Sequence, residues 1–279
     1  MSFFSKIGFV HIPKTGGTSV SNTFEEIFNV KKTHISNVYI DKDKSSEHGL
    51  LNGSREMNLA MNSIFISGHI NLSKMKMLDR NFIFSYLRDP RDVFFSYFNY
   101  SNKKILNNKT LDNDVKKLIK NNKELDFLDL YDLYDGLFAL LLQHRPKLRK
   151  IYRKYKKNRL DEVKQNELTE FINHISNVIN EDFDFIGFLS DKESFKKLLI
   201  DLDIPIKIKL KHDRKTFNND IPNIKISCSK DEFYEFLNTE FDLDIKIYNN
   251  LSNLSGSGML ISNDDYIDKI NTKYEFTFL

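Results

Sequence analysis

The chain has 279 residues, enough for one large domain or two small ones with a buried core. A hydrophobic fraction of 40% and an aromatic fraction of 13% exclude an intrinsically disordered protein, and a net charge of +3 excludes a global polycation. The single cysteine, Cys228, excludes an internal disulfide and a cysteine-built metal site, and no apolar stretch reaches the roughly 18 residues that span a bilayer.

The N-terminal part of the chain predicts a strand followed by a helix. The segment 6–12 is short and apolar, as in a buried strand. In the segment 16–30, apolar residues recur at i, i+4, i+7 and i+8, which places them on one face of a helix. These residues are Val20, Phe24, Ile27 and Phe28.

Two further strands are predicted before residue 101. One covers 62–70 and ends near His69. The other opens the segment 81–101, in which a strand is again followed by a helix. Asp89 is a good N-cap for this helix, and Pro90 suits its first position.

The last third of the chain predicts more strand–helix units. A strand is predicted at 183–190, and Ser190 and Glu193 form a capping box for the helix that follows. A second Ser-x-x-Glu start occurs at Ser229. The alternation of strands and helices predicts an α/β fold with a central, mostly parallel sheet flanked by helices, which binds ligands at the carboxyl ends of its strands. The apolar face of the helix after residue 190 comprises Phe195, Leu198, Leu199 and Leu202.

The middle of the chain, at about 101–180, is polar and helical, and we interpret it as an insertion on the acceptor side of one domain that spans 1–279. The segment 103–126 is predicted to lie at the surface, and 125–144 to form a buried helix. The segment 145–159 has the spacing of a basic amphipathic helix. Its apolar positions are Leu148, Ile151, Tyr152 and Tyr155.

The segment "VHIPKTGGTS" (10–19) joins the first strand to the first helix and has the composition of an anion-binding loop. Free N–H groups at a helix start bind anions, and Gly16 and Gly17 let the backbone approach a ligand closely. Lys14 adds a point charge. Hydroxyl donors are supplied by Thr15, Thr18 and Ser19. The plain alternative is a solvated turn before a helix.

The order of residues in this loop differs from that of nucleotide triphosphatases, G-x-x-x-x-G-K-[ST]. Gly8 and Lys14 are almost in register with that pattern, but Pro13 stands at the second glycine position, and the glycines follow the lysine. This order suits a short cradle for one or two phosphate-like groups and supplies no clear magnesium ligand.

A second anion site is predicted where the third strand ends. Arg88 follows that strand, and Ser96 lies about two turns into the next helix. A guanidinium and a hydroxyl at this edge of the sheet can bind a second phosphate. The alternative is a structural ion pair of Arg88 with Asp89 or Asp92.

Two of these segments resemble known motifs. "HIPKTGGTS" (11–19) resembles the 5′-phosphosulfate loop of the sulfotransferases, and "LRDPRDVFFSYF" (87–98) is similar to their 3′-phosphate segment. "FIGFLSDKESFKKLL" (185–199) resembles a later strand–helix unit of the family. "HDRKTF" (212–217) and the segment 231–251 resemble the heparan sulfate 2-O-sulfotransferase branch. The resemblance implies a P-loop-like sheet and the donor 3′-phosphoadenosine-5′-phosphosulfate, with no metal. It does not extend over roughly 101–180.

The resemblance also implies in-line transfer of a sulfuryl group to a hydroxyl, and it assigns roles to residues. Lys14 and the loop amides would stabilise the leaving phosphate, and His69 would be the general base, with His11 as second choice. Arg88 and Ser96 would hold the 3′-phosphate. A basic segment formed by Arg214, Lys215 and Thr216 would close over the nucleotide, unless it is an ordinary charged surface loop.

The acceptor that we expect is a carbohydrate, and the basic segment 145–159 favours an acidic glycan. Nucleic acid and an anionic membrane surface compete as partners of this segment, although we expect no nucleic-acid partner and no integral membrane segment. A solvated helix balanced by nearby acids is the plain alternative. His144, just before the basic segment, is a further candidate for acceptor contact.

Two rival functions remain for comparison with a sulfotransferase. One is a phosphate-loop kinase, and the other is a non-catalytic protein that retains the nucleotide site. The first residues are too short and interrupted for a secretory signal, so we expect the cytoplasm, with the inner membrane surface as the alternative.

Overall fold

The computed structural model describes residues 6–29, 34–35, 60–106, 127–132, 134–157, 165–208, 210 and 223–278. Arg214, Lys215 and Thr216, which we predicted to close over a nucleotide, lie outside these ranges, as does Arg159 of the basic segment. Within them, no helix is both long enough and apolar enough to cross a membrane.

The centre of the molecule is a parallel sheet, as predicted. Its strands are β1 (Ile7–Val10), β2 (His34–Ile35), β3 (Phe65–Gly68), β4 (Phe82–Leu87) and β5 (Phe185–Phe188). They lie in the order β2-β3-β1-β4-β5, and the two-residue β2 is at one edge. All four pairings are parallel.

The register brings the ends of the central strands together. Val10, the last residue of β1, pairs with Gly68 at the end of β3 and with Ser85 near the end of β4. From β1 the chain runs to β2 and β3 on one side, and only then crosses to β4 on the other side. A crevice for ligands is expected between β1 and β4, where the direction of the connections reverses.

The helices cover both faces of this sheet and continue beyond it. In chain order they are α1 (Gly17–Ile27), α2 (Leu72–Met77), α3 (Pro90–Leu106), α4 (Phe127–Asp132), α5 (Leu137–Leu141), α6 (Pro146–Lys157), α7 (Gln165–Asp182), α8 (Lys192–Asp201), α9 (Lys230–Glu240), α10 (Asp242–Leu254) and α11 (Asn263–Lys273). A turn of 3₁₀ helix, Leu142–His144, joins α5 to α6.

Alternation along the strands divides the core in two. Phe82, Phe84 and Tyr86 of β4 pack against α1 and α8. Ile83 and Leu87 of the same strand point to the other face, where α2, α5, α7 and α10 lie. Because successive side chains of a strand face opposite sides, this strand is buried on both faces and is apolar at most positions.

A second, two-stranded parallel sheet lies in the C-terminal part and was not predicted. It pairs β6 (Asn223–Ile226) with β7 (Glu275–Phe278). These strands share a third, strongly aromatic core with α3, α4, α9 and α11. Helix α3 therefore connects the central sheet to the C-terminal sheet.

Most of the predicted helix starts are confirmed. Helix α3 begins at Pro90, and the Asp89 carboxylate accepts the N–H of Arg91 at 3.0 Å. Ser229 forms a complete capping box with Glu232. The box predicted at Ser190 is wrong by one residue, because Asp191 is the N-cap and its side chain accepts the N–H of Glu193.

Two predictions about the middle of the chain are wrong in detail. The single helix expected at 125–144 is broken into α4, α5 and a 3₁₀ turn, and Gly136 has a positive φ of 92° at the break. In α6, Ile151 is 44% exposed and does not belong to the apolar face. The other three predicted positions, Leu148, Tyr152 and Tyr155, pack on the core.

Candidate functional site

Three connections leave the carboxyl edge of the sheet, and the first of them contacts the other two. They follow β1, β3 and β4 and carry Lys14, His69 and Arg88, respectively. The Nδ1 of His69 lies 2.7 Å from the carbonyl oxygen of His11, and Nη1 of Arg88 donates to the carbonyl oxygen of Lys14 at 3.4 Å. The structure therefore brings the three main predicted residues together at the switch point.

The loop after β1 turns sharply into α1. Lys14 has φ of 70° and Gly16 has φ of 76°, so two residues adopt the left-handed conformation. Such a conformation is uncommon for lysine and is found preferentially at functional sites. No side chain caps the N-terminus of α1, and its first turn contains no acid. Its positive end is therefore not neutralised by a carboxylate of its own first turn.

The backbone at Gly17 is covered by the ring of His11. A Cβ at this glycine would lie 1.8 Å from Cδ2 of His11, so no other residue fits without moving the ring. His11 is only 8% exposed; its ring stacks with that of Phe9 at a centroid distance of 5.6 Å and contacts the ring of His69 in a tilted arrangement at 4.2 Å. His11 thus supports the loop and His69, and its burial argues against the role of base that was its alternative assignment.

The predicted hydroxyl donors of the loop lie in different environments. Thr15 is fully buried and donates its hydroxyl to the carbonyl oxygen of Ile12 at 2.9 Å, so this hydroxyl serves the turn itself. Thr18 and Ser19, in the first turn of α1, are half-buried. The N–H groups of a first helical turn have no intrahelical acceptor, which makes this turn the donor-rich part of the loop.

The side chain of Lys14 extends from the loop towards α3. Its ammonium lies 3.4 Å from the ring centroid of Tyr100, and Lys104 approaches the same ring at 4.6 Å. Cation–π contacts of this kind are worth on the order of 1 kcal/mol at accessible sites. The ring of Tyr100 therefore helps to position the Lys14 ammonium between the loop and α3.

His69 has the protonation state of a general base. Burial lowers its pKa from the ordinary 6.5, the hydrogen bond to the His11 carbonyl opposes this, and the charge of Lys14 lowers the pKa further. At neutral pH the ring is therefore neutral. A carbonyl oxygen only accepts, so Nδ1 carries the proton and Nε2 keeps its lone pair.

Arg88 is partly engaged by a carboxylate, as the alternative prediction stated. Its Nε lies 3.3 Å from Oδ2 of Asp92, whereas Asp89 pairs with Arg91 instead. Ser96 is half-buried and lies one turn beyond Asp92 on the same face of α3. The guanidinium, the carboxylate and the hydroxyl thus share one helix face.

Two lysines at this face were missed by the sequence analysis. Lys269 donates to Oδ2 of Asp92 at 2.8 Å, and Lys273 lies 3.6 Å from Oδ1. Burial raises the pKa of Asp92, but the nearby cations outweigh it and bring the pKa from 3.8 to about 2. A pair of lysines four residues apart is common on helices, so the sequence contained no signal for this contact.

Eight cationic side chains lie at 145–157, in α6 and directly before it, and they fall into two groups. Four of the positively charged side chains in this region are engaged by carboxylates: Arg145 by Asp182, Arg149 and Arg153 by Asp135, and Lys156 by Asp244. The other four are exposed and lie at spacings of three and four residues, on one face. This lysine stripe consists of Lys147, Lys150, Lys154 and Lys157.

His144 is not available to an acceptor. Its Nε2 lies 2.7 Å from Oδ2 of Asp182, and its side chain is 8% exposed. Arg145 binds both oxygens of the same carboxylate, at 2.7 and 2.8 Å. Asp182 is 38 residues from His144 in the chain, so no local pattern in the sequence predicted this contact.

In the ranges that the structure covers, no three His, Cys, Asp or Glu side chains are grouped as metal ligands. Metal-independent chemistry stays a prediction. A scan of this chain against protein-family models found no match, and a search of curated proteins found no significant match.

Proposed function

We propose that this protein is a sulfotransferase that moves the sulfuryl group of 3′-phosphoadenosine-5′-phosphosulfate to a carbohydrate hydroxyl. The observation that carries the proposal is the grouping of the Lys14 loop, a neutral His69 and Arg88 at one switch point of a parallel sheet. Such a crevice is where open α/β sheets bind their ligands.

The loop fits the phosphosulfate end of the donor. An uncapped helix N-terminus binds anions through its amides, and Gly17 lets the ring of His11 pack directly against the backbone where α1 begins. Pro13 and the late position of the glycines distinguish this loop from a triphosphate cradle. The strand order and the loop after β1 support the proposal of a P-loop-like sheet.

The proposed reaction assigns one task to each side chain. Nε2 of His69 takes the proton of the acceptor hydroxyl as its oxygen forms a bond to sulfur. The bond from sulfur to the bridging oxygen of the donor breaks, and negative charge develops on the leaving phosphate. Lys14 leaves the ring of Tyr100 and, with the amides of α1, stabilises that charge.

The lysine stripe of α6 supports an acidic glycan as the acceptor. Four exposed ammonium groups on one face, none of which forms an ion pair with the residues that the structure describes, complement a chain of carboxylate or sulfate groups. Among the apolar residues of α6, Tyr152 is buried and Leu148 and Tyr155 pack on the core, whereas Ile151 is exposed. One exposed isoleucine is a small anchor for a membrane, so the balance favours a water-soluble polyanion.

Calorimetric titration of the full-length protein tests the nucleotide class. We expect adenosine 3′,5′-bisphosphate to bind with or without Mg²⁺ and more tightly than AMP or ATP. Tight binding of ATP that requires Mg²⁺ would favour a kinase and overturn the proposal. Binding of the bisphosphate without any transfer from the sulfated donor, across a panel of carbohydrates, would favour a non-catalytic protein.

A further inference from the structure

Two ion-pair clusters lie side by side at the start of α3, and their charges are balanced differently. In the first, Arg91 donates to both oxygens of Asp89, at 3.0 and 2.9 Å. Both side chains are buried, and Arg91 also packs on the ring of Tyr266. One cation meets one carboxylate, as is expected of a structural pair.

The second, which we name the α3 cation cluster, consists of Arg88, Lys269 and Lys273 around Asp92. The distances from Asp92 to these cations are 3.3, 2.8 and 3.6 Å, respectively. Within the described ranges, no other carboxylate forms an ion pair with any of the three. The cluster therefore has two positive charges in excess.

The excess charge faces the solvent. The Asp92 side chain is 6% exposed, whereas those of Lys269 and Lys273 are 48% and 26% exposed. The carboxylate thus lies beneath the cations and leaves their outer side open. Burial lowers the pKa of Lys273, Asp92 opposes this, and Arg88 and Lys269 lower it further. Mutual repulsion makes it costly in free energy to hold three cations around one carboxylate, unless a second anion binds beside Asp92.

We infer that Lys269 and Lys273 complete, with Arg88, the binding site for a second phosphate monoester on a nucleoside that carries two phosphates. This inference rests on the proposed function, because it uses the same crevice. Arg88 connects the cluster to the loop after β1 through the carbonyl oxygen of Lys14. One ligand can therefore contact the amides of α1 at one end and the cluster at the other.

The inference gives the C-terminal part of the chain a role in binding. Lys269 and Lys273 belong to α11, which packs with β6 and β7 in the aromatic core, whereas the loop belongs to the central sheet. A phosphate at the cluster would connect these two parts of the molecule. We expect the ligand to stabilise α11 even though the residues first predicted to hold its two phosphates, in the loop 10–19 and at Arg88 and Ser96, lie before residue 100.

The test compares ligands that differ by one phosphate. Adenosine 3′,5′-bisphosphate and adenosine 5′-monophosphate are titrated into the wild-type protein, Lys269→Gln, Lys273→Gln and the double variant. Each substitution is expected to weaken bisphosphate binding roughly tenfold and monophosphate binding by less than about twofold, because a charged hydrogen bond is lost only in the first case. Lys269 and Lys273 each lie 5.2 Å from the centroid of a tyrosine ring, those of Tyr266 and Tyr274. Lys230→Gln is the matched control, because Lys230 likewise lies 5.6 Å from the ring centroid of Tyr234.

The outcomes separate this inference from the proposed function. Failure of the wild-type protein to bind the bisphosphate overturns both. Wild-type binding with unchanged affinity in the double variant, or an equal loss for both nucleotides, overturns the inference alone. Hydrogen exchange on the wild-type protein gives a measurement without substitutions: the amides of 263–273 should exchange more slowly with the bisphosphate than with the monophosphate, and equal exchange would contradict the inference.

Discussion

The basic helix α6 and the α3 cation cluster hold positive charge in opposite ways. In α6 the cations are concentrated in the sequence, yet the buried or half-buried ones are paired with carboxylates: Lys156 with Asp244 at 2.7 Å, and Arg149 and Arg153 with Asp135. In the α3 cluster the cations come from residues up to 185 positions apart, and they converge on Asp92.

The comparison shows that local charge density in a sequence is a poor guide to where excess positive charge converges in the fold. A compact anion site needs several cations directed at one point with too few carboxylates to neutralise them. A helix spreads its side chains along an axis, so α6 presents a linear row of lysines instead. The first arrangement suits a phosphate group, and the second suits a polymer.

The largest effect that we predict is a loss of turnover without a matching loss of nucleotide binding. His69→Gln should lower turnover about 10²–10⁴-fold and change the affinity for adenosine 3′,5′-bisphosphate by less than about threefold, because only the base is lost. Lys14→Gln should lower turnover by a similar factor. Transfer from the sulfated donor to a responsive carbohydrate is the measurement.

The control for this pair is His174→Gln, at an exposed position of α7. It should leave turnover unchanged. Unimpaired transfer by both His69→Gln and Lys14→Gln would refute the mechanism. Substitution of the lysine stripe should likewise leave transfer to a small uncharged acceptor intact.

The second effect concerns the paired cations of α6. Asp244 is fully buried and accepts hydrogen bonds from Tyr152 and Lys156. Asp244→Asn leaves the ammonium of Lys156 buried without its counter-ion and should lower the free energy of unfolding by about 3 kcal/mol. Urea denaturation measures this loss.

Asp135→Asn is the matched control, because Asp135 pairs with Arg149 and Arg153 of the same helix but is 46% exposed. It should cost less than about 1 kcal/mol. Equal losses for the two variants would mean that burial does not distinguish these ion pairs.

The third effect tests the partner of the lysine stripe. Replacing all four lysines by Gln should weaken binding to a sulfated polysaccharide and reduce the slope of log K against log salt by roughly three, by analogy with counter-ion release from nucleic acids. The control replaces four other lysines by Gln, which removes the same charge and should change the slope little. These are Lys192, Lys196, Lys225 and Lys230. Preferential binding of anionic vesicles or duplex DNA would contradict the glycan acceptor.

The smallest effect is a pKa shift within the site. By NMR, His69 should titrate below 6.5, because burial and Lys14 both lower its pKa. Since the neutral ring is the base, the transfer rate should rise with pH through that pKa and then level off. Lys14→Gln should raise the pKa of His69, and Lys104→Gln should change it less; a midpoint above 6.5 in the wild-type protein would contradict the assignment.

The elements with strong local signals were predictable from the sequence. Alternation and helical periodicity located β1, β3, β4 and β5 and the helices after β1, β4 and β5, but not β2. The Ser229 box is correct because capping depends on residues three apart. Prediction from the sequence failed where a single backbone angle decides whether a helix continues. The positive φ of Gly136 breaks the helix that was expected over 125–144. Prediction from the sequence also missed the sheet of β6 and β7 because parallel strands 49 residues apart leave no local pattern.

The sequence alone determined which segments bear strand and helix patterns and which loop has the chemistry to bind an anion, because these properties depend on neighbours within a few residues. Only the tertiary structure decided which charges are neutralised. It buried Asp244 against Lys156, and it placed Lys269 and Lys273 of the last helix beside Arg88. The reason is physical: the energy of a charge depends on the distance to its partners and on burial, and packing sets both.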